Sequence, residues 1–228
     1  MQNTTQLSWP QVQQEAQVLF QERGLPKVKE EDWKYTNLDY LAQDDFSASK
    51  TQPVITKAEI LPWILTDAYL TFVDGYYCAE LSESGSLEDV ISISALKAQP
   101  FILSEKTLPA YSALELLNLA YLQEGALIKL APASAKSTLQ LIFFNTQSGW
   151  TQIRNQLLIK SEAQALILET YVSPGPAKIN QQTEIQVQEG GKLEYLKIQQ
   201  EGSQTSHLGQ TQIKLAAKAQ CQAYSLNL

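Results

Sequence analysis

Two cysteines and a single histidine are the residues of this chain best suited to chemistry, and their spacing decides what is open to them. A disulfide framework or a zinc site needs paired ligands, whereas Cys78 and Cys221 stand far apart with no second ligand beside either. Cys78 has Tyr76 and Glu80 for neighbours on one face and nothing basic in sequence to activate it, so both thiols read as structural. His207 lies in EGSQTSHLGQ, a stretch rich in turn formers. Without a neighbouring Cys or second His it cannot complete a multi-ligand metal site, and it is read as a solvated loop residue. The acidic pairs Glu30-Glu31 and Glu88-Asp89 lack companion ligands and read as solvated surface.

The phosphate-binding loop G-x-x-x-x-G-K-[ST] has a distant echo in Gly190-Gly191-Lys192, but there is no upstream Gly and no following Ser or Thr. Those glycines are better explained as a corner. Trp9, Trp63 and Trp150 are expected to pack in the core or at corners, since no basic run interleaves with aromatics as single-strand binding requires. The expected catalytic, cofactor-binding and metal-ligating sets are therefore empty.

The elements that would position any site follow from composition and pattern. With 228 residues, 44% of them hydrophobic, the chain can bury one large core or one core and a smaller domain. A net charge of −7 and the lack of any Lys/Arg-rich run argue against a nucleic-acid partner. No apolar run approaches the roughly 20 residues that span a bilayer, and MQNTTQLSWPQ lacks the features of a signal peptide, so a cytoplasmic protein with no membrane contact is expected.

Ser8 to Gln11 has capping-box spacing, Val12, Ala16, Leu19 and Phe20 share one helical face, and Gly24-Leu25-Pro26 stops the helix. KEEDWKYTNLDYL follows as a loop with a short helical turn. Alternation on both sides of Asp74-Gly75 predicts a β-hairpin over residues 68–81. Leu114, Leu117 and Tyr121 then share a helical face after Pro109, with Gly125 as the expected C-cap. The boundaries drawn are an N-terminal helical/α+β domain at 1–107, a connecting helix at 108–125 and a β region at 126–228.

That β region repeats. NQLLIKSEAQALILE (from Asn155), TEIQVQEGGKLEYLK (from Thr183) and TQIKLAAKAQCQAYS (from Thr211) align without a gap at a spacing of 28 residues. Leu157/Ile185/Ile213 and Ile159/Val187/Leu215 form apolar columns, Ala163/Gly191/Ala219 a column of small residues that suits a tight corner, and Ala165/Leu193/Cys221 a further inward column. A looser copy contains Ile128, Leu130, Leu139, Leu141 and Phe143. Short strands and corners repeating without a helical half predict a mainly β fold, a β-solenoid of about four rungs of about 28 residues each. The last rung has an interior character with no cap, so the chain is expected to be a fragment, truncated before its C-terminal rungs and cap, or to have its end covered by a partner.

RGLPKVKEEDWKYTNL resembles the N-terminal signature of the SufD family, carried by Arg23, Gly24, Pro26, Glu31 or Asp32, Trp33, Lys34, Tyr35, Thr36 and Leu38. LTFVDGYY is similar to the family's F-V-D-G hairpin, and LLNLAYLQEGALIKL to the helix that leads into its solenoid. The resemblance implies a right-handed parallel β-helix behind a helical domain, and a non-enzymatic scaffold for iron-sulfur cluster assembly acting with SufB-like and SufC-like proteins. The mechanism it implies is conformational, with ATP-driven dimerisation of SufC moving the two solenoid subunits. It implies that the Fe–S cluster is handled by the whole complex, with no cofactor bound by this chain, and it leaves a homodimer open. The family's cluster-assembly histidine and its SufB and SufC contact regions find no counterpart here, so no metal or catalytic residue is carried over. Arg23, Gly24, Pro26, Trp33, Lys34, Tyr35 and Thr36 are expected to be structural.

Two alternatives stand beside this reading. A carbohydrate-active β-helix enzyme would carry a column of carboxylates. The rungs instead show Ser161/Glu189/Ala217 and Glu169/Lys197/Ser225. A SufB-type paralogue would share the solenoid, but the short N-terminal region and the absence of a Cys-rich segment favour the SufD type.

Overall fold

A computed structural model describes residues 6–47, 55–99, 101–102 and 107–228. The first five residues, on which part of the signal-peptide reading rests, lie outside it. Strand β1 (Gln6–Leu7) leads into helix α1 (Trp9–Arg23). The backbone N–H of Ser8 donates to Gln11 Oε1 at 3.1 Å, which replaces a bond the first turn cannot make for itself. Trp9, Val12, Ala16 and Phe20 form the buried face, and the helix stops at Gly24, whose φ of +71° suits a glycine.

Two 3₁₀ turns follow, Glu31–Trp33 and Asp39–Leu41, with Leu38 and Leu41 buried against α1 in a helical core. Next come the short helix α2 (Lys57–Ile60) and the strands β2 (Tyr69–Val73) and β3 (Tyr76–Glu83). These strands form the expected hairpin, turning through Asp74 (φ +48°) and Gly75 (φ +86°), the two left-handed residues that match the twist of the flanking strands. The Asp74 carboxylate also accepts from Thr146 N and Oγ1 at 2.8 and 2.7 Å. Strand β4 (Ile91–Ala95) and strand β5 (Phe101–Ile102), paired to β1, precede helix α3 (Ala113–Tyr121).

From Glu124 the chain winds through four rungs: β6 (Glu124–Leu130) with β7 (Ser137–Phe144), β8 (Trp150–Ile159) with β9 (Gln164–Ser173), β10 (Lys178–Val187) with β11 (Lys192–Glu201), and β12 (Ser206–Leu215) with β13 (Gln220–Asn227). The rungs stack into two sheets, ordered β12-β10-β8-β6-β4 and β13-β11-β9-β7-β2-β3. Every rung-to-rung pair is parallel, and Leu157, Ile185 and Ile213 lie side by side as the repeat requires. The first copy is looser for a simple reason: Leu130 pairs with Ile159 and Ser137 with Ala165, so its corner holds one residue more.

The other corners share one backbone solution. Glu162, Gly190 and Lys218, one rung apart, all adopt the left-handed conformation, with φ of +61°, +68° and +59°. Only the middle one is glycine, so Gly190-Gly191 is a corner and not a phosphate cradle. Gly125 belongs to strand β6 and not to a helix cap, since α3 ends at Tyr121 with Leu122 as its cap. A Cβ at Gly125 would stand 2.3 Å from the carbonyl oxygen of Arg154, so a glycine lets two backbones approach.

The hairpin and the N-terminal region are built onto the solenoid. β2 lies parallel to β7, and Phe72, Phe143 and Tyr171 stack along the interior at centroid spacings of 5.0 and 4.8 Å. On the outer face of the first sheet, Asn118 of α3 donates to the carbonyls of Ile153 and Asn180, both at 3.0 Å, and Arg154, 2% exposed, pairs with Glu184. Asp44 receives Trp150 Nε1 at 2.9 Å and Lys178 Nζ at 2.6 Å, while Tyr40 meets Ser206 at 3.2 Å. The segment after the signature therefore touches three successive rungs. Trp9 and Trp150 are buried and Trp63 is partly so, as expected of packing residues.

Candidate functional site

Strand alternation places every second residue of a rung inside the solenoid. One half of each rung is lined by the apolar columns, so a Leu or Ile there contributes about 2 kcal/mol by leaving water. The other half turns polar from the second rung onward, and its residues assemble into one cluster spanning β9, β10, β11 and β12, buried around Glu169 and half-buried toward β12.

Glu169, on β9, is fully buried. Its Oε1 accepts from Thr183 Oγ1 at 2.9 Å and its Oε2 from the hydroxyls of Tyr171 at 2.9 Å and Tyr195 at 2.6 Å. Three neutral donors from three strands thus surround one carboxylate. Burial, and then the Glu169 charge, raise the ionisation of Tyr171 and Tyr195 well above the ordinary phenol range, so both phenols stay protonated donors.

Lys197 pairs with Glu169 in the adjacent strand. Its Nζ donates to Gln181 Oε1 at 2.9 Å, lies 5.0 Å from the centre of the Tyr171 ring and comes within 3.4 Å of His207 Nε2. Burial lowers its pKa, while the charges of Glu169 and Glu201 pull the other way.

His207 corrects the sequence reading. It is a residue of strand β12, its side chain is only 7% exposed, and it points into the solenoid. Nδ1 lies 2.9 and 3.1 Å from the two carboxylate oxygens of Glu201, and the ring meets Tyr171 edge-on at 4.7 Å. An ammonium can only donate, so Nε2 accepts from Lys197 and the proton of the neutral ring sits on Nδ1, donated to Glu201. Burial is the main influence and lowers the His207 pKa; the Glu201 hydrogen bond opposes it and Lys197 reinforces it. Gly209 makes the convergence possible, because a Cβ there would stand 2.7 Å from Gln181 Oε1, 2.8 Å from Lys197 Nζ and 3.1 Å from His207 Nε2.

This interior is not arranged for maximum stability. By alternation Asn145, Asn155 and Ser173 also face inward, and each buries side-chain atoms that find no hydrogen-bond partner among the described residues. Such groups cost about 1–3 kcal/mol each. The cluster offers no thiol, and among the described residues no three His, Cys, Asp or Glu side chains stand together to bind a metal. Glu169 is enclosed by hydroxyls, out of reach of a polysaccharide.

The signature residues lie elsewhere. Arg23 donates to the carbonyls of Tyr111 and, at 2.9 Å, Pro109, which ties the end of α1 to the start of α3. Pro26 is buried and Trp33 is half-buried against the helical core. Lys34, Tyr35 and Thr36 face outward, with Tyr35 91% exposed and Lys34 Nζ 5.3 Å from its ring centre. Cys221 occupies its inward column and burial raises its pKa; burial raises that of Cys78 as well. The residues missed in the sequence are Tyr171, Gln181, Thr183, Tyr195, Glu201 and Gly209, while Glu169 and Lys197 enter the sequence reading only as a mixed column. A signal was available for one pair, because Glu169 and Lys197 share a repeat column with opposite charges.

Residues 142–228 match the family model described as SUF system FeS cluster assembly, SufBD core domain. Across 96% of its length the chain is 27% identical to the iron-sulfur cluster assembly protein SufD of Escherichia coli (strain K12), of which it covers 52%. Across 90% of its length it is 24% identical to the iron-sulfur cluster assembly SufBD family protein slr0076 of Synechocystis sp. (strain ATCC 27184 / PCC 6803 / Kazusa), of which it covers 50%. The chain spans about half the length of the curated relatives it matches. The resemblance to the SufD family is borne out by these matches, and the parallel β-solenoid by the stacked rungs of the structure.

Proposed function

Because this chain is similar to SufBD proteins along nearly all of its length, we propose that it serves iron-sulfur cluster assembly as a scaffold or accessory subunit, working with SufB-like and SufC-like partners. The observation that carries the reading is a coincidence of boundaries. The segment that fits the SufBD core, residues 142–228, runs from within β7 to the last rung, so the part that matches the family model is the stacked solenoid. Its role is mechanical: a rigid stack of rungs holds surfaces at fixed spacing, and the segment from Tyr40 to Asp44 fastens the N-terminal region to three of those rungs. The Fe–S cluster is cargo of the assembled machinery, and this chain performs no catalytic step of its own.

No helix among the described residues is long and apolar enough to cross a membrane, and a cytoplasmic place of work is part of the proposal. The test is co-purification and complementation. The tagged natural protein is expected to retain SufB-like and SufC-like proteins, and its gene to restore Fe–S enzyme activity to cells lacking SufD. Failure of both would overturn the proposal.

A further inference from the structure

His207 and Glu201 lie on either side of the corner between β11 and β12, and their side chains close that corner from the inside at 2.9 Å. Glu201 is held in place by Gln199, whose Nε2 donates to its Oε2 at 3.0 Å. The far side of the ring is blocked: Nε2 faces the Lys197 amine at 3.4 Å, Tyr171 fills the flank, and Gly209 leaves no bulk between them. The imidazole therefore fits in one state only. As a neutral ring it donates to Glu201 and accepts from Lys197. A proton added to Nε2 removes that acceptor and sets an N–H⁺ against an ammonium.

We propose that His207 is a proton-operated latch between the third and fourth rungs: neutral, it pins β12 to β11 through Glu201, and protonated, it is pushed off Lys197 and the fourth rung loosens. The charged groups around it work in a definite balance. Glu201 and the more distant Glu169 favour the imidazolium, whereas Lys197 and burial oppose it, and burial is the largest of these influences. The other strands packed on the ring present Tyr171, a protonated phenol, and the neutral Gln181. Among the described residues no second carboxylate contacts the ring to accept the extra proton charge. Opening the rung releases the imidazole to water, where its ordinary pKa near 6.5 returns.

The chain has one histidine, so labelling with ¹³C-histidine yields a single imidazole to follow by NMR. The expected result is a neutral ring protonated on Nδ1 at pH 7, with a titration midpoint below 6.5. Amide protection factors in β12, corrected for intrinsic exchange, should fall by up to about tenfold per pH unit between pH 6.5 and that midpoint, the limit for one linked proton, and level off below it, while those in β8 stay level. Replacing the facing amine, Lys197→Met, should raise the midpoint. His207→Gln should abolish the acid-induced loss in β12 whether or not Lys197→Met folds. A midpoint at or above 6.5 in the unmodified chain would overturn the latch. So would pH-independent protection of β12, or an acid-induced loss that survives in His207→Gln.

Discussion

Tyr195 and Glu169 meet across one rung at 2.6 Å, a phenol hydroxyl donating to a carboxylate that no solvent reaches. Tyr171 and Thr183 complete the set of donors, so this single carboxylate joins three strands of two sheets. Removing the acceptor strands three hydroxyls. Glu169→Ala is expected to destabilise the chain by about 3–5 kcal/mol, and Tyr195→Phe, which deletes one charge-assisted bond, by about 2 kcal/mol, both read from urea midpoints.

Asn155 is the opposite case. It is buried and inward-facing, and neither its oxygen nor its nitrogen has a partner among the described residues. Asn155→Val keeps a similar volume, removes the unpaired amide and is expected to stabilise by about 1 kcal/mol. A loss of stability in the same urea experiment would show that the amide makes bonds within the interior.

The corners supply a comparison internal to the repeat. Gly190 takes the left-handed conformation freely, whereas Glu162 and Lys218 adopt it against the clash of their own Cβ. Glu162→Gly and Lys218→Gly should each raise stability by about 0.5–1 kcal/mol, the relief of strain outweighing the added freedom of the unfolded chain. Thermal unfolding of the two variants checks this.

Gly125 and Gly209 are both crowded, but by different neighbours. A methyl group at Gly125 meets the backbone oxygen of Arg154 and the side chain of Leu96, which cannot yield without moving a strand. At Gly209 it meets the ends of the Gln181, Lys197 and His207 side chains, which can. Gly125→Ala should therefore cost about 3 kcal/mol or more and Gly209→Ala about 1–2 kcal/mol. The milder variant should also release Lys197 from His207, visible as a shifted imidazole resonance.

The buried titratable groups set the pH profile. His207 has a folded pKa below 6.5, so the unfolded chain takes up its proton first as pH falls. Its contribution to stability is complete above about pH 6.5 and is lost as pH drops toward the lowered value. Tyr171 and Tyr195 are shifted up from an ordinary value of 10, so they stabilise the fold below pH 10 and cease to do so as the unfolded phenols ionise above it. Urea midpoints measured from pH 5 to 11 should show both losses. Tyr171→Phe and Tyr195→Phe should flatten the alkaline one.

What the sequence by itself determined is the frame. The 28-residue spacing of apolar columns is a statement about stacking, since like residues recur where like strands lie side by side, and the observed pairing of Leu157, Ile185 and Ile213 follows it directly. Asp74-Gly75 specifies its turn through local backbone preference alone. What only the tertiary structure decided is the polar interior. His207 follows a run of turn formers and carries no local mark of burial, yet β12 begins one residue before it and alternation turns its ring inward. Lys197 and Glu201 look like ordinary surface charges until the rungs stack and enclose them. Gly125 reads as a helix cap because nothing local reveals that Arg154 will approach it. Period and turn chemistry are encoded within a few neighbouring residues, whereas the burial of a charge depends on which strand, many residues distant, comes to lie beside it.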